Sequence, residues 1–170
     1  MSSTTQSLVL TSFDDTTALN WRIVNDGVMG GISSSSMEVL PEGIARFKGT
    51  VSLANNGGFA STRATLNSSP TKSLRAVKLR VKGDGQTYSF RLRTNDRFDD
   101  VSYKQDFVTD SSEWLEIELP LADFVPTWRG RRLRNVPPVT APQIKQIGIL
   151  ISDKQAGPFE LLLDWIILVH

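Results

Sequence analysis

Apolar and polar residues alternate with a period of two along most of the chain. From Ala45 the odd positions Ala45, Phe47, Gly49, Val51 and Leu53 are apolar or small, with Arg46, Lys48 and Ser52 between them. Val77, Leu79 and Val81 alternate with Lys78, Arg80 and Lys82, and Tyr88, Phe90 and Leu92 with Ser89, Arg91 and Arg93. Leu115, Ile117 and Leu119 alternate with Glu116 and Glu118. Successive side chains of a strand point to opposite faces, so this period predicts half-buried antiparallel strands, one face in the core and one in water. Residues 144–151 and 159–169 are apolar at both parities, which predicts mid-sheet strands covered on both sides.

Turn-forming residues separate these runs at Asn55-Asn56-Gly57-Gly58, Gly83-Asp84-Gly85 and Ala156-Gly157-Pro158. Gly83-Asp84-Gly85 lies between two alternating strands and predicts a hairpin. That hairpin would set Arg80 and Lys82 beside Arg91 and Arg93 as a small cationic patch, with Glu116 and Glu118 to balance it across the sheet. With at least eight short strands and no long amphipathic helix, the chain is expected to be all-β, a two-sheet sandwich. No repeat or linker interrupts it, so residues 1–170 are expected to form a single domain.

The stretch 123–142 breaks the pattern. It carries Pro126, Pro137, Pro138 and Pro142 together with Trp128, Arg129, Arg131, Arg132 and Arg134, and predicts a long functional loop. Arg and Trp are the side chains most enriched at interface hot spots, so Trp128, Arg129, Arg131 and Arg132 are candidates for contact with a protein partner. A second candidate patch is Asn25, Asp26 and Met29 in the glycine-rich segment Asn25-Asp26-Gly27-Val28-Met29-Gly30-Gly31. These glycines are followed by Ile32 and a serine run rather than a helix, which disfavours a phosphate-binding loop and favours a tight turn.

Composition removes whole classes of chemistry. The chain has no cysteine, which excludes disulfides, thiolate metal sites and a cysteine nucleophile. Its one histidine is the terminal His170, so a histidine metal site or a buried Ser-His-Asp triad has no base to use. Nineteen Lys and Arg against eighteen Asp and Glu leave a net charge of +1, too little for a nucleic-acid-coating protein. Asp14, Asp15, Asp26, Asp84, Asp106 and Asp153 are candidate carboxylates, but no spacing forces a catalytic pair. Asp14 could meet Asp164 if the first and last strands pair, which would make a calcium site conceivable. No catalytic residue, resident metal or cofactor is therefore expected, and neither nucleic acid nor membrane insertion. Without a targeting pattern at the start, the expected location is cytoplasmic, peripheral to a membrane, or organellar if a transit peptide has been removed.

An alternative reading is a lectin-like carbohydrate-binding module. Trp114 and Tyr103 would stack on a sugar, and Asn56, Arg80 and Arg91 would hydrogen-bond it. Trp114 falls out of phase with Leu115, Ile117 and Leu119, so it should point outward or sit at a strand start.

Several co-linear motifs carry a family resemblance over about the whole chain. They are Trp21…Asn25-Asp26-Gly27-Val28-Met29-Gly30-Gly31-Ile32-Ser33, Phe47-Lys48-Gly49-Thr50-Val51-Ser52, Asn56-Gly57-Gly58-Phe59-Ala60 and Leu79-Arg80-Val81-Lys82-Gly83-Asp84-Gly85. Trp114…Glu118-Leu119-Pro120…Phe124…Arg129-Gly130-Arg131 and Ile147-Gly148-Ile149…Ser152-Asp153-Lys154-Gln155-Ala156-Gly157-Pro158-Phe159…Leu163-Asp164 follow. In order and spacing the chain resembles the complex I intermediate-associated protein 30 family. The resemblance implies a galactose-binding-domain-like jelly-roll β-sandwich. It also implies a role in holding intermediates of NADH:ubiquinone oxidoreductase or another respiratory or photosynthetic membrane complex. Some such domains are joined to an NAD(P)-binding domain, and the fold is similar to that of carbohydrate-binding modules. The family supplies no catalytic residues.

Overall fold

The computed structural model describes residues 7–11, 21–23, 34–52, 58–66, 70–95, 101–128, 131–152 and 157–170. In chain order the strands are β1 Ser7–Thr11, β2 Trp21–Ile23, β3 Ser34–Val39, β4 Ala45–Val51, β5 Ala60–Thr65, β6 Ala76–Lys82 and β7 Thr87–Arg93. They continue with β8 Ser102–Val108, β9 Leu115–Pro120, β10 Val125–Trp128, β11 Arg131–Arg132, β12 Gln146–Ile151 and β13 Gly157–Val169. Among the described residues the only helical pieces are two short 3-10 turns, Leu121–Asp123 and Ala141–Gln143. No helix among the described residues is long and apolar enough to cross a membrane.

The strands form two antiparallel sheets. One runs β3-β4-β13-β6-β9, with β1 also pairing β13. The other runs β11-β10-β8-β7-β12-β5-β2. The period-two residues build the layer between them: Phe47, Leu79, Val81, Leu161 and Leu163 from the first sheet meet Tyr88, Phe90, Leu92, Ile147 and Ile149 from the second, all buried. Aromatic rings join the layers. Phe159 meets Phe47 edge-on at 5.0 Å and Tyr88 at 6.3 Å, and Tyr88 stacks on Phe107 at 6.1 Å. This is the all-β two-sheet sandwich that the alternation predicts, and it agrees with the jelly-roll β-sandwich that the family resemblance implies.

Both apolar runs lie mid-sheet as expected, β12 between β7 and β5 and β13 between β4 and β6. Coverage of both faces is not why residues 159–169 are apolar at both parities. The pairing of β13 with β6 shifts register between Leu163 and Trp165. Such a bulge inserts one residue and reverses which parity faces inward. Phe159, Leu161 and Leu163 are buried before it, Ile166 and Leu168 after it. Asp164, at the bulge, is left on the outer face.

The hairpin expected at Gly83-Asp84-Gly85 does not form. β6 belongs to the first sheet and β7 to the second, so the segment is an arch from one layer to the other. The glycines serve close approach: a Cβ on Gly83 would lie 2.2 Å from Thr109 Oγ1, and Gly85 has φ +87°. Gly85 N–H donates to Thr109 Oγ1 at 3.2 Å, and that hydroxyl donates to the Gln86 carbonyl at 2.7 Å.

The stretch 123–142 is not one long loop. It holds β10 and β11 at the edge of the second sheet, where Pro126 pairs with Tyr103 of β8. An edge tolerates proline, which has no N–H to donate. Farther along, the Tyr103 hydroxyl donates to the Pro137 carbonyl at 2.9 Å and ties the proline segment to the sheet.

Candidate functional site

Three surfaces gather the candidate residues. The first is the β10–β11 hairpin. Trp128 and Arg131 are register partners, as are Thr127 and Arg132. Trp128 is 39% exposed, and Arg131, Arg132 and Arg134 are exposed as well. An indole and three guanidinium groups thus share one sheet edge. Arg129 lies outside the described residues, as do Asn25, Asp26 and Met29 of the second patch and Asn56 of the sugar reading.

The second surface is the outer face of the first sheet. Trp114, immediately before β9, is half-buried beneath Arg80, whose guanidinium carbon stands 5.3 Å from the ring centroid. Arg80 Nε donates to Asp164 Oδ2 at 3.1 Å, and its Nη1 lies 3.4 Å from Glu116 Oε2. Lys78 Nζ lies 3.7 Å from Glu116 Oε1. The balance that Glu116 was expected to supply is present here. Asp164 serves Arg80, and Asp14, its suggested partner in a calcium site, lies outside the described residues. Among the described residues no group of three or more acidic or histidine side chains is placed to hold a metal ion.

The described residues of the sugar reading, Tyr103, Trp114, Arg80 and Arg91, do not converge. Tyr103 points into the core, 7% exposed, with its hydroxyl bonded to Pro137. Trp114 and Arg80 lie on the outer face of one sheet and Arg91 on the outer face of the other. The expected patch of Arg80/Lys82 with Arg91/Arg93 is also absent, because the arch at Gly83–Gly85 sends the two pairs to opposite sides of the sandwich.

The third surface was only half legible in the sequence. On the outer face of the second sheet, pairing aligns Lys104, Arg91, Gly148, Arg63 and Arg22 in one row across β8, β7, β12, β5 and β2. The next row is Thr127, Ser102, Arg93, Gln146 and Thr65. Arg63 and Arg93 are 5% and 7% exposed, unusually deep for cations on an outer face. Burial, with Arg93 and Arg63 beside it, pulls the Arg91 guanidinium down to about 9. Burial with Arg93 and Arg22 pulls Arg63 down to about 10. Arg63, Arg91, Arg93 and Gly148 line one small cavity. Arg91 and Arg93 were visible in the alternation. Arg63, set in the small-residue run Ala60-Ser61-Thr62-Arg63-Ala64, and Gly148, inside an apolar run, were the signals that went unused.

Comparison with known proteins fixes the family. An uncharacterized protein of Schizosaccharomyces pombe is 30% identical over 165 residues, covering 85% of this chain and 75% of its own. The Neurospora crassa mitochondrial complex I intermediate-associated protein 30 is 28% identical over 143 residues, 74% of this chain. The mouse protein of the same name is 34% identical over 95 residues, 52% of this chain. The match spans 51% of the Neurospora protein and 28% of the mouse one, so those two are considerably longer than the matched part.

Among solved structures the sandwich is similar to the Clostridium thermocellum family 11 carbohydrate-binding module bound to a mixed-linked tetrasaccharide. The TM-score is 0.72, with 18% identity and coverage of 98% of this chain and 96% of that one. A family 29 carbohydrate-binding module follows at TM-score 0.60 and 8% identity, covering 98% of this chain and 90% of that one. At such identities the likeness is one of fold. The sequence family is decided by its own model, which matches residues 11–163: the chain belongs to the complex I intermediate-associated protein 30 family.

Proposed function

We propose that the chain is a non-catalytic binding domain that acts as an assembly or scaffolding factor, holding a protein client of a respiratory or photosynthetic membrane complex until the client is built in. The observation that carries this is the β10–β11 hairpin. An exposed indole and arginines at one sheet edge offer the side chains that contribute most to protein interfaces. Family membership supplies the kind of client, since two relatives carry complex I in their names. The domain then works in the compartment where that complex is assembled, a bacterial cytoplasm or the interior of an organelle.

The lectin-like alternative keeps the fold, but among the described residues its named side chains do not gather at one place. Its two aromatic residues are spent elsewhere, Tyr103 in the core and Trp114 under Arg80.

The test is co-purification of the tagged protein from mildly solubilised membranes of its own organism, read by mass spectrometry. Subunits of one membrane complex, in immature form, are the expected catch. Trp128→Ala with Arg131→Ala should lose that catch while thermal unfolding stays within about 2 °C of the parent. Undiminished capture by the double variant would remove the hairpin from the interface. A parent protein that brings down no client would sink the assembly role.

A further inference from the structure

We propose that a second copy of this chain docks on the sandwich edge formed by β9 and the β10–β11 hairpin. The arrangement is two-fold and sets the acids of one copy against the arginines of the other. It goes beyond the client reading and does not require it.

Charge is sharply divided in this part of the chain. Residues 105–128 hold Asp106, Asp110, Glu113, Glu116, Glu118 and Asp123 and no Lys or Arg. Residues 129–152 hold Arg129, Arg131, Arg132, Arg134 and Lys145 and no Asp or Glu. A chain of net charge +1 thus carries a strong local dipole. Topology puts both blocks on one side of the sandwich. β9 ends the first sheet and β11 the second, and Gln105 Nε2 of β8 donates to the Pro120 carbonyl of β9 at 3.0 Å. The other two end strands, β2 and β3, meet on the opposite side. Register then separates the charges along the edge. Glu116 pairs with Arg80, and the Asp110 carbonyl accepts the Gly83 N–H at 3.2 Å, so Asp110, Glu113 and Glu116 lie at the end of the arch. Ser102 pairs with Arg93 at the far end of β7, and Thr127 pairs with both Ser102 and Arg132. The hairpin therefore lies at the other end, roughly 20 Å away by the length of β7.

Most of these charges have no counter-ion within the chain. Among the described residues Asp110, Glu113, Glu118 and Asp123 make no ion pair, and neither do Arg131, Arg132 and Arg134. Only Glu116, beside Arg80 and Lys78, and Asp106, beside Lys104, are neutralised. A two-fold axis through the middle of the edge reverses its direction. The arch end of one copy then meets the hairpin end of the other, and the contact occurs twice, as an isologous interface requires. Trp128, exposed beside the arginines, is set against Leu115 and Ile117 of the other copy, which are half-buried at the margin of its core. Like-with-like docking is repulsive: β9 against β9 opposes Glu116 and Glu118, and hairpin against hairpin opposes arginines. The acids of β9 and Pro126 of β10 also guard the edge against strand addition, so side chains make the contact. Exposed ion pairs are individually weak and screened by salt, so the dimer forms at low ionic strength and dissociates at high. Where the hairpin holds a client, which rests on the proposed function, the second copy competes with it.

The experiment is sedimentation equilibrium of the purified full chain at neutral pH, in about 0.02 M and about 0.5 M sodium chloride, where screening differs severalfold. The expected result is a dimer in low salt and a monomer in high salt. Glu113→Arg with Glu118→Arg should be monomeric in low salt, and so should Arg131→Glu with Arg132→Glu, because each makes both contacts like-charged. An equimolar mixture of the two double variants should dimerise again. Arginines at the arch end of the first then meet glutamates on the hairpin of the second, and the native arginines of the first meet the native acids of the second. Four results would each overturn the proposal: a parent that is monomeric in low salt, a dimer indifferent to salt, a double variant that dimerises alone, or a mixture that stays monomeric. If a variant does not fold, the parent in the two salts decides alone. A monomeric parent that binds poly-glutamate would assign the arginines to an acidic partner instead. The two readings fail separately: a monomeric parent leaves client capture standing, and a co-purification without a client leaves the dimer standing.

Discussion

The Asp84 carboxylate accepts the backbone N–H of Glu160 at 2.9 Å, which fastens the arch between the two sheets to the central strand of the first. The same carboxylate receives the Tyr88 hydroxyl at 3.1 Å, Gln86 Nε2 at 2.8 Å and Gln86 N–H at 3.2 Å. One acidic side chain thus ties β13, the arch and the start of β7 together at the point where the chain changes layer.

Removing it should be costly. Asp84→Ala leaves the hydroxyl of fully buried Tyr88 and the Glu160 N–H without their acceptor, and the expected loss is about 3 kcal/mol in urea unfolding. Asp84→Asn keeps one carbonyl oxygen and should lose roughly half as much. A variant Asp84→Ala as stable as the parent would mean that the arch is held by its glycines and Thr109 alone.

Both tyrosines of the chain are held above the ordinary phenol range. Burial, then the charge and hydrogen bond of Asp84, raise Tyr88; burial raises Tyr103. A raised phenol keeps its proton in the folded state after the unfolded chain has lost it. Stability from these groups is therefore fully present below pH of about 10 and falls as pH rises beyond it. Absorbance of tyrosinate should stay low in the native protein past pH 10 and appear together with loss of circular dichroism. About a quarter of the full tyrosinate signal at pH 10 with the fold intact would contradict the burial of one of the two.

Much of the sandwich is legible because burial on one face imposes alternation, as in β6, β7 and β9. What sequence could not supply is which strand each strand meets. Gly83-Asp84-Gly85 has good hairpin chemistry, yet Thr109 and Glu160, far along the chain, make it an arch. The bulge at Asp164 turns a one-face pattern into an apparent two-face one. Arginines alternating with core residues look like any solvated face. That Arg63, Arg91 and Arg93 gather over Gly148 depends on β12 lying between β7 and β5, a long-range pairing. Trp128 and Arg131 were legible as residues, but not the edge strands that present them, because Pro126 argues locally against a strand.

On the first sheet, Arg80 holds Trp114, Asp164 and Glu116 together from a position about a third exposed. Solvent screens such a cluster, so Arg80→Ala should lose only about 1 kcal/mol, and less at high salt. Arg80→Lys should recover little, because an ammonium group cannot lie flat on the indole and reach both carboxylates. Urea unfolding at two salt concentrations reads both effects, and a loss independent of salt would assign Arg80 to packing.

Gly49 sits on β4 opposite Ser35 of β3, the outermost strand of that sheet. A Cβ there would lie 2.0 Å from the Ser34 carbonyl oxygen and 2.6 Å from Ser35 Cα, both backbone atoms that no rotamer change can move away. Gly49→Ala must therefore push β3 off the edge, and the ladder from Ser34 to Val39 holds it in place. Overpacking against backbone is expected to lower stability by about 3 kcal/mol or more. If β3 yields first, amide exchange should quicken across residues 34–39 while Phe47 and Leu161 stay protected, since β4 keeps its pairing with β13. Uniform acceleration across both sheets would instead mean that β3 is part of the cooperative core.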